Sequence, residues 1–221
     1  MNGYSFELAG ETLVARGSGA LWWPAARLLV VSDLHLGKSG RIARRGGTLL
    51  PPYEQRDTLL RLEAEVEAAG AATVLCLGDS FDDDAAVESL GETDRLWLAR
   101  LMAGRRWVWI AGNHDPAPLT LSGAPHASLT QGPLTFRHIA QAGAAGEVSG
   151  HYHPKARIAG RGQAVTRACF LLDTARVILP AFGTYTGGLR SEHAALCTLM
   201  APGALAILTG AQPVALPMPR G

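Results

Sequence analysis

Arg27-Leu28-Leu29-Val30-Val31-Ser32-Asp33-Leu34-His35 is the stretch that decides how this chain folds. The run from Arg27 to Val31 is continuously apolar after its first residue, the pattern of a strand buried on both faces. It stops at Ser32-Asp33, so polar side chains emerge at the strand's C-terminal end. The same arrangement recurs downstream. Thr73 to Leu77 reads as a second buried strand ending at Gly78-Asp79, and Trp107 to Ala111 as a third ending at Gly112-Asn113. Between them, Glu54 to Ala69 carries Leu59, Leu62, Val66 and Ala69 on one helical stripe, with Gly70 as its stop. Thr93 to Ala103 reads as a helix halted by Gly104. Strand, helix, strand, helix, strand is the rhythm of an α/β sheet, whose ligand sites lie beyond the strands' carboxyl ends.

Upstream, Tyr4-Ser5-Phe6-Glu7-Leu8 alternates, Gly10 turns and Thr12-Leu13-Val14 extends, which predicts an opening hairpin. Downstream the character changes. Leu134–Phe136, Glu147–Ser149, Arg176–Ala181, Leu196–Met200 and Leu205–Leu208 read as short strands separated by Gly and Pro, a second sheet. Ala194 to Pro219 carries no charge. Pro202, Gly203, Gly210, Pro213, Pro217 and Pro219 interrupt it, so a pair of buried strands joined by a Pro-Gly turn is expected rather than a membrane span. No repeat or low-complexity linker divides the chain, so residues 1–221 are expected to form a single domain.

A chain of 221 residues can bury a sizeable core, and 48% hydrophobic with 18% charged residues fits a compact protein. The formal net charge of +1 supplies no global field toward nucleic acid or membrane. Any such binding must use local patches, and no membrane partner is expected. Only Lys38 and Lys155 are lysines; the other basic residues are arginines, as a GC-rich genome would favour. Cys76, Cys169 and Cys197 are few, widely spaced and set in apolar stretches, so they read as free thiols in a reducing compartment. No basic segment followed by an apolar core opens the chain, so no signal peptide is expected and a cytoplasmic location is.

The chemistry lies in the strand-end segments. Asp33 and His35 are two apart, and in an extended segment they would share one side and reach one ion. Asp79 follows a glycine that permits close backbone approach. Asn113 adds an amide oxygen. His151 and His153 are again two apart, so one ion could take both or two ions one each. Mixed carboxylate and imidazole ligands suit Mn, Fe or Zn better than Ca or Mg. Ser-Asp, Gly-Asp and Gly-Asn are each common turn sequences. Their joint order, not any one of them, carries the reading.

Asp-x-His, Gly-Asp, Gly-Asn-His-Asp, a lone His and Gly-His-x-His, in order across Asp33 to His153, resemble the calcineurin-like metallophosphoesterases. The resemblance implies a four-layer α/β/β/α sandwich of two mixed sheets with helices outside. It implies one metal held by Asp33, His35 and His153, another by Asn113, His138 and His151, and Asp79 bridging. His138 fits the lone-histidine place better than His126, because it ends an alternating segment whereas His126 follows Ala124-Pro125 in a loop. His193 reads as an ordinary surface histidine. The reaction implied is in-line attack on phosphorus by a hydroxide that two ions about 3.5–4 Å apart generate. His114 would contact the phosphate and protonate the leaving group, with Asp115 orienting it or simply capping a helix. Asp82 has the spacing of a residue behind the ligands; Asp83 and Asp84 read as a solvated loop.

More specific stretches follow His35, from Leu36-Gly37-Lys38 to Gly47 and Leu50-Pro51-Pro52, and recur at Ala168-Cys169-Phe170 and from Leu179-Pro180-Ala181-Phe182-Gly183 to Gly188. These are similar to the bacterial ligase-associated DNA damage response endonucleases, the PdeM family, from about Val30 to Leu189. Asp82 departs from the histidine expected in many relatives. The likeness implies a manganese-dependent phosphodiesterase, with Fe(II) or Zn as alternatives, acting as a DNA endonuclease in repair. Its implied partners are DNA, a DNA ligase, a helicase and an exonuclease. Lys38, Arg41, Arg44 and Arg45 would clamp phosphates beside the scissile one, or form a solvated basic turn or helix. Tyr185, among Gly183, Gly187 and Gly188, stacks on a base or packs. Trp22-Trp23 leans toward a core edge. The alternative function is a small-molecule phosphodiesterase or pyrophosphatase of the same fold, acting on a cyclic nucleotide or nucleotide-sugar lipid.

Overall fold

The computed structural model describes residues 2–44, 46, 53–82, 86, 90–113, 122–160 and 163–220. The expected hairpin forms from β1 (Gly3–Leu8) and β2 (Glu11–Arg16), and β3 (Leu21–Trp23) adds a strand beside it. Next come β4 (Leu28–Val31), helix α1 (Lys38–Arg44), helix α2 (Glu54–Ala69), β5 (Thr73–Leu77), helix α3 (Glu92–Met102), β6 (Arg106–Ile110) and β7 (Ala124–His126). Among the described residues these strands make a seven-stranded sheet in chain order, antiparallel from β1 to β4 and parallel from β4 to β7.

The second sheet is built from β8 (Ser128–Gln131), β9 (Leu134–Arg137), β10 (Glu147–Ser149), β11 (Lys155–Gly160), β12 (Gln163–Leu172), β13 (Arg176–Ile178), β14 (Leu205–Leu208) and β15 (Val214–Pro217). Its order is β15-β14-β12-β13-β10-β9-β8, with β11 paired to β12. It too is mixed, because β10 runs parallel to both β9 and β13.

The two-residue period of the strands sorts the side chains into three apolar layers. Leu28 and Val30, Leu75 and Leu77, and Val108 and Ile110 face inward, where they meet Phe136, Val148, Phe170, Val177 and Ile207 of the second sheet. Their neighbours Leu29, Val31, Val74, Cys76, Trp107 and Trp109 face outward onto Leu59, Leu62 and Val66 of α2 and Leu98 and Leu101 of α3. On the far side, Cys169, Leu171, Ile178 and Ala206 pack against Leu196 and Met200. This is the four-layer α/β/β/α sandwich. Trp23 is buried in the inter-sheet layer and Trp22 packs partly against the helical one.

One expected strand is a helix. All but the last residue of Leu196–Met200 falls in helix α4 (Ala194–Leu199), whose Ala and Leu residues favour helix, and Met200 is its C-cap. The His193 side chain caps it by accepting from the Ala195 N–H at 3.3 Å. The apolar run was a helix burying one face on the outer sheet, a distinction that periodicity over so few residues does not make. Pro202-Gly203 therefore joins a helix to β14, and the strand pair in this region is β14 with β15. Arg176–Ala181 is also shorter than expected: β13 ends at Ile178, although the Leu179 N–H still donates to Ser149 O at 2.7 Å, and Pro180 has no N–H to continue. Among the described residues no helix is long and apolar enough to cross a membrane.

Cys169 lies fully buried in the outer layer, and burial pushes its thiol up to about 12. In native protein at pH 8, iodoacetamide is expected to label the partly exposed Cys197 while leaving Cys169 unmodified, and to label both in denaturant. Peptide mass spectrometry reads the outcome. Native labelling of Cys169 at the rate of Cys197 would contradict this packing.

Candidate metal centre

The parallel strands β4, β5 and β6 of one sheet and β9 and β10 of the other end at a common place. Asp33 and His35 follow β4, Asp79 follows β5, Asn113 follows β6, His138 follows β9, and His151 and His153 follow β10. The side chains gather into two groups, Asp33 with His35 and His153, and Asp79 with His138 and His151. Within each group the ligand-capable atoms all lie within 4.8 Å of one another. His151 and His153 thus divide between the groups, one to each.

The backbone reaches this arrangement through strain rather than through extended segments. Asp33, His35, Asp79, His151 and His153 all have positive φ, between 46° and 70°. The side-sharing expected of Asp33 and His35 in an extended strand is therefore replaced by two left-handed residues, one on each side of Leu34, whose side chains both reach His153. Such conformations cost of order 1–3 kcal/mol each and persist where the surroundings impose them. Backbone hydrogen bonds supply that: Asp33 N–H donates to Gly78 O at 3.3 Å, and His35 N–H to Asp79 O at 2.9 Å. Two glycines allow the approach. A Cβ at Gly150 would lie 1.7 Å from Ser32 Oγ, and one at Gly78 would lie 2.5 Å from His138 Nδ1.

Hydrogen bonding fixes which imidazole nitrogens face inward. His138 Nδ1 lies 2.7 Å from the Leu77 carbonyl, which only accepts, so Nδ1 carries a proton and Nε2 is the nitrogen left to a ligand. Around that Nε2 stand Asn113 Oδ1 at 2.8 Å, His151 Nδ1 at 3.2 Å and Asp79 Oδ2 at 3.4 Å. In the other group His35 Nδ1 lies 2.8 Å from Asp82 Oδ1, which aims Nε2 at Asp33 and His153. His153 Nε2 is 3.0 Å from Asp33 Oδ1, and both atoms are buried. Lone pairs facing one another at these distances fit two divalent cations, and the donor set of carboxylate, amide and imidazole matches transition metals.

The charges agree. Burial disfavours ionised Asp33, yet His153, His138 and Ser32 hold its carboxyl below the usual range. Burial also opposes a charged His138, but Asp79 and Asp33 hold its pKa above the ordinary imidazole value. His151 is lowered by burial and by the neighbouring His138.

The residue behind His35 is Asp82, fully buried and hydrogen-bonded to both His35 and Arg41 Nε. Although burial opposes its ionisation, these two partners keep its carboxyl below the usual range. The structure thus places Arg41, expected beside substrate phosphates, on a buried carboxylate. Lys38 is half-buried at the start of α1. His114, Asp115, Arg45, the Arg44 side chain, Asp83 and Asp84 lie outside the described residues. His126 belongs to β7, its carbonyl accepting from Ala111 N–H at 2.8 Å, and joins neither ligand group.

The sequence reading missed how residues 182–189 hold the site. Phe182 and Gly183 N–H groups donate to Ser32 O and Asp33 O at 2.8 and 3.1 Å, and Leu189 N–H donates to Tyr152 O at 3.0 Å. Arg61 of α2 stacks over Phe182 and donates to Phe182 O at 2.7 Å and Thr184 Oγ1 at 2.9 Å. Thr184 Oγ1 donates in turn to Asp57 Oδ2 at 2.5 Å. The segment therefore braces the Asp33 and His153 loops together, with Tyr185 exposed at its crest and also at positive φ. Only the unusual density of Gly and Thr around Tyr185 hinted at it.

Residues 26–165 match the family model of the calcineurin-like phosphoesterases. No curated protein sequence matches the chain. Among solved structures, the Pseudomonas putida nuclease MPE is similar: 26% of residues are identical, the TM-score is 0.75, and the match covers 96% of this chain and 100% of that one.

Replacing Asp82 by asparagine removes the charge behind His35 while keeping the shape. Metal affinity at the Asp33–His35–His153 group is expected to fall ~10-fold or more, with the other group unchanged. Calorimetric titration of metal-stripped protein reads the two affinities separately. Equal loss at both groups, or none, would show that Asp82 does not act through His35.

Proposed function

This chain belongs to the calcineurin-like phosphoesterase family, and from that premise we propose that it is a manganese-dependent phosphodiesterase acting as a DNA endonuclease in repair. The observation that carries the reading is the pair of adjoining ligand groups, Asp33–His35–His153 and Asp79–His138–His151, with buried lone pairs turned on each other. A metal-dependent phosphoesterase is what such groups build in this family. The finer choice of nucleic acid draws support from the likeness to the Pseudomonas putida nuclease over nearly the whole chain, and from the stretches similar to the ligase-associated PdeM endonucleases.

In this reading Asp33, His35 and His153 would hold one ion and Asn113, His138 and His151 the other, with Asp79 available to both. Bound divalent ions supply a nucleophile at neutral pH and offset charge on the phosphoryl oxygens. The protein's own residues do the rest. Asp82 and the Leu77 carbonyl fix the rings of His35 and His138, so their Nε2 atoms stay turned toward the ligand groups. The brace over residues 182–189 keeps Asp33 and His153 at constant spacing. His114 protonates the leaving oxygen and Asp115 orients it. Lys38, Arg41, Arg44 and Arg45 are the cations assigned to the flanking phosphates, Arg41 through the guanidinium edge not taken by Asp82. Manganese as the working metal, a cytoplasmic location, and a DNA ligase, helicase and exonuclease as functional partners belong to the same proposal.

The test starts from metal-stripped protein, with Mn, Zn, Fe(II) or Mg restored, assayed on bis-p-nitrophenyl phosphate beside supercoiled plasmid. Hydrolysis of both with Mn is expected. Hydrolysis of the small diester alone would replace the nuclease reading with a small-molecule phosphodiesterase, and inactivity under every metal would overturn both. His114→Ala is expected to retain both ions yet lose ~10²-fold or more of turnover. Loss of metal along with activity would assign His114 a different role.

A further inference from the structure

A groove of about 310 Å³ opens beside the second ligand group. Asn113 and His138 close one end, Ala127 and Ser128 form an exposed wall, and Arg137 and Gln141 line the other. It lies where the segment after β6 meets the start of β8 and the end of β9, at the mouth between the two sheets. Its volume is at the lower end of the ~300–1,000 Å³ of small-molecule sites, suited to one nucleotide unit rather than a duplex.

The charge on its wall is positive. Arg137 is the charged residue among the described lining residues. Behind it, Glu147 is fully buried and already served: Arg176 Nη1 donates to Oε1 at 3.2 Å, and the Gln141 N–H donates to Oε2 at 2.9 Å. Arg137 Nε stands 3.4 Å from the same Oε2 without making a hydrogen bond. Two guanidiniums share one carboxylate, so the cluster carries a net charge of one positive unit. That unit is exposed only on the Arg137 side, since the side-chain exposures are 19% for Arg137 and 4% for Arg176. A carboxylate this well satisfied does not need Arg137, whose planar fork suits phosphate oxygens.

Resting on the nuclease reading above, we propose that this groove is the subsite for the nucleotide next to the scissile phosphate. Arg137 contacts that nucleotide's own phosphate. The Asn113–His138 end places the scissile phosphate at the ligand groups, and the small residues of the opposite wall leave room for a sugar and base. The strand therefore crosses the metal centre toward the β8–β9 edge.

Two variants test this. Ser128 is exposed and paired in register with Arg137, so Ser128→Trp places a bulky side chain in the groove beside Arg137 while itself replacing no ligand. Arg137→Gln removes the cation while leaving Glu147 with Arg176. Both are assayed with Mn on a single-stranded oligonucleotide and on bis-p-nitrophenyl phosphate, with melting temperatures as the fold control. Each variant is expected to raise KM for the oligonucleotide ~10-fold or more, with the small diester unaffected because it has no flanking nucleotide. Arg137→Gln should also flatten the salt dependence of log KM by about 0.7, as loss of one phosphate contact on a single strand would. A wild type that cleaves the oligonucleotide while both variants match it overturns the subsite alone. Equal losses on both substrates assign these residues a structural role and also overturn it. A wild type that hydrolyses only the small diester overturns the nuclease reading, and the nucleotide as occupant with it.

Discussion

Carboxylate and imidazole groups, most of them buried, are made to face one another at the junction of two sheets. In bare protein this is costly, since the buried groups have lost water. The arrangement is held all the same, by left-handed backbone at Asp33, His35, Asp79, His151 and His153. Strain of that kind survives only where the surroundings over-determine it. The sandwich supplies this, because the strands that end at the site are locked between apolar layers on both faces.

The polar atoms behind the ligands matter as much as the ligands. An acceptor at one imidazole nitrogen holds a proton there and leaves the other nitrogen to a ligand, and here Leu77 O and Asp82 do so for His138 and His35. Asp82 is itself held by Arg41, so the ring orientation of His35 reaches back into α1. The brace at residues 182–189 does the equivalent for the backbone, tying Ser32, Asp33 and Tyr152 to α2 through Arg61, Thr58 and Asp57. These supports come from distant parts of the chain, and each one narrows the positions the ligand atoms can take.

Much of this was legible in the residues. Buried strands at Leu28–Val31, Thr73–Leu77 and Arg106–Ile110 follow from continuous apolar runs, and the helix at Glu54–Ala69 from its stripe and its Gly70 stop. The misreading at Leu196–Met200 has a plain cause. Six residues of Ala, Leu, Cys and Thr make less than two turns, and burial against one sheet face leaves no period to count. The convergence of Asp33 with His35 was anticipated for a mistaken reason, extended backbone, because φ is not written in residue types that tolerate both signs. Arg41 read as a solvent-facing cation, and only the folded chain shows Asp82 beneath it.

By itself the sequence determined which side chains are ligand-capable, that they follow strand ends, and that an apolar period of two sorts each strand between layers. These are local properties, set by residue type and spacing along the chain. Spacing left open how the ligands divide into two groups, which only the family resemblance implied, and the tertiary structure alone decided which nitrogen of each histidine faces inward and which cation meets which carboxylate. Those depend on segments tens of residues apart, such as Arg41 with Asp82, or more than a hundred, such as Asp33 with His151, being brought within hydrogen-bonding distance. No local pattern encodes such a distance, because it is fixed by the packing of one sheet on the other.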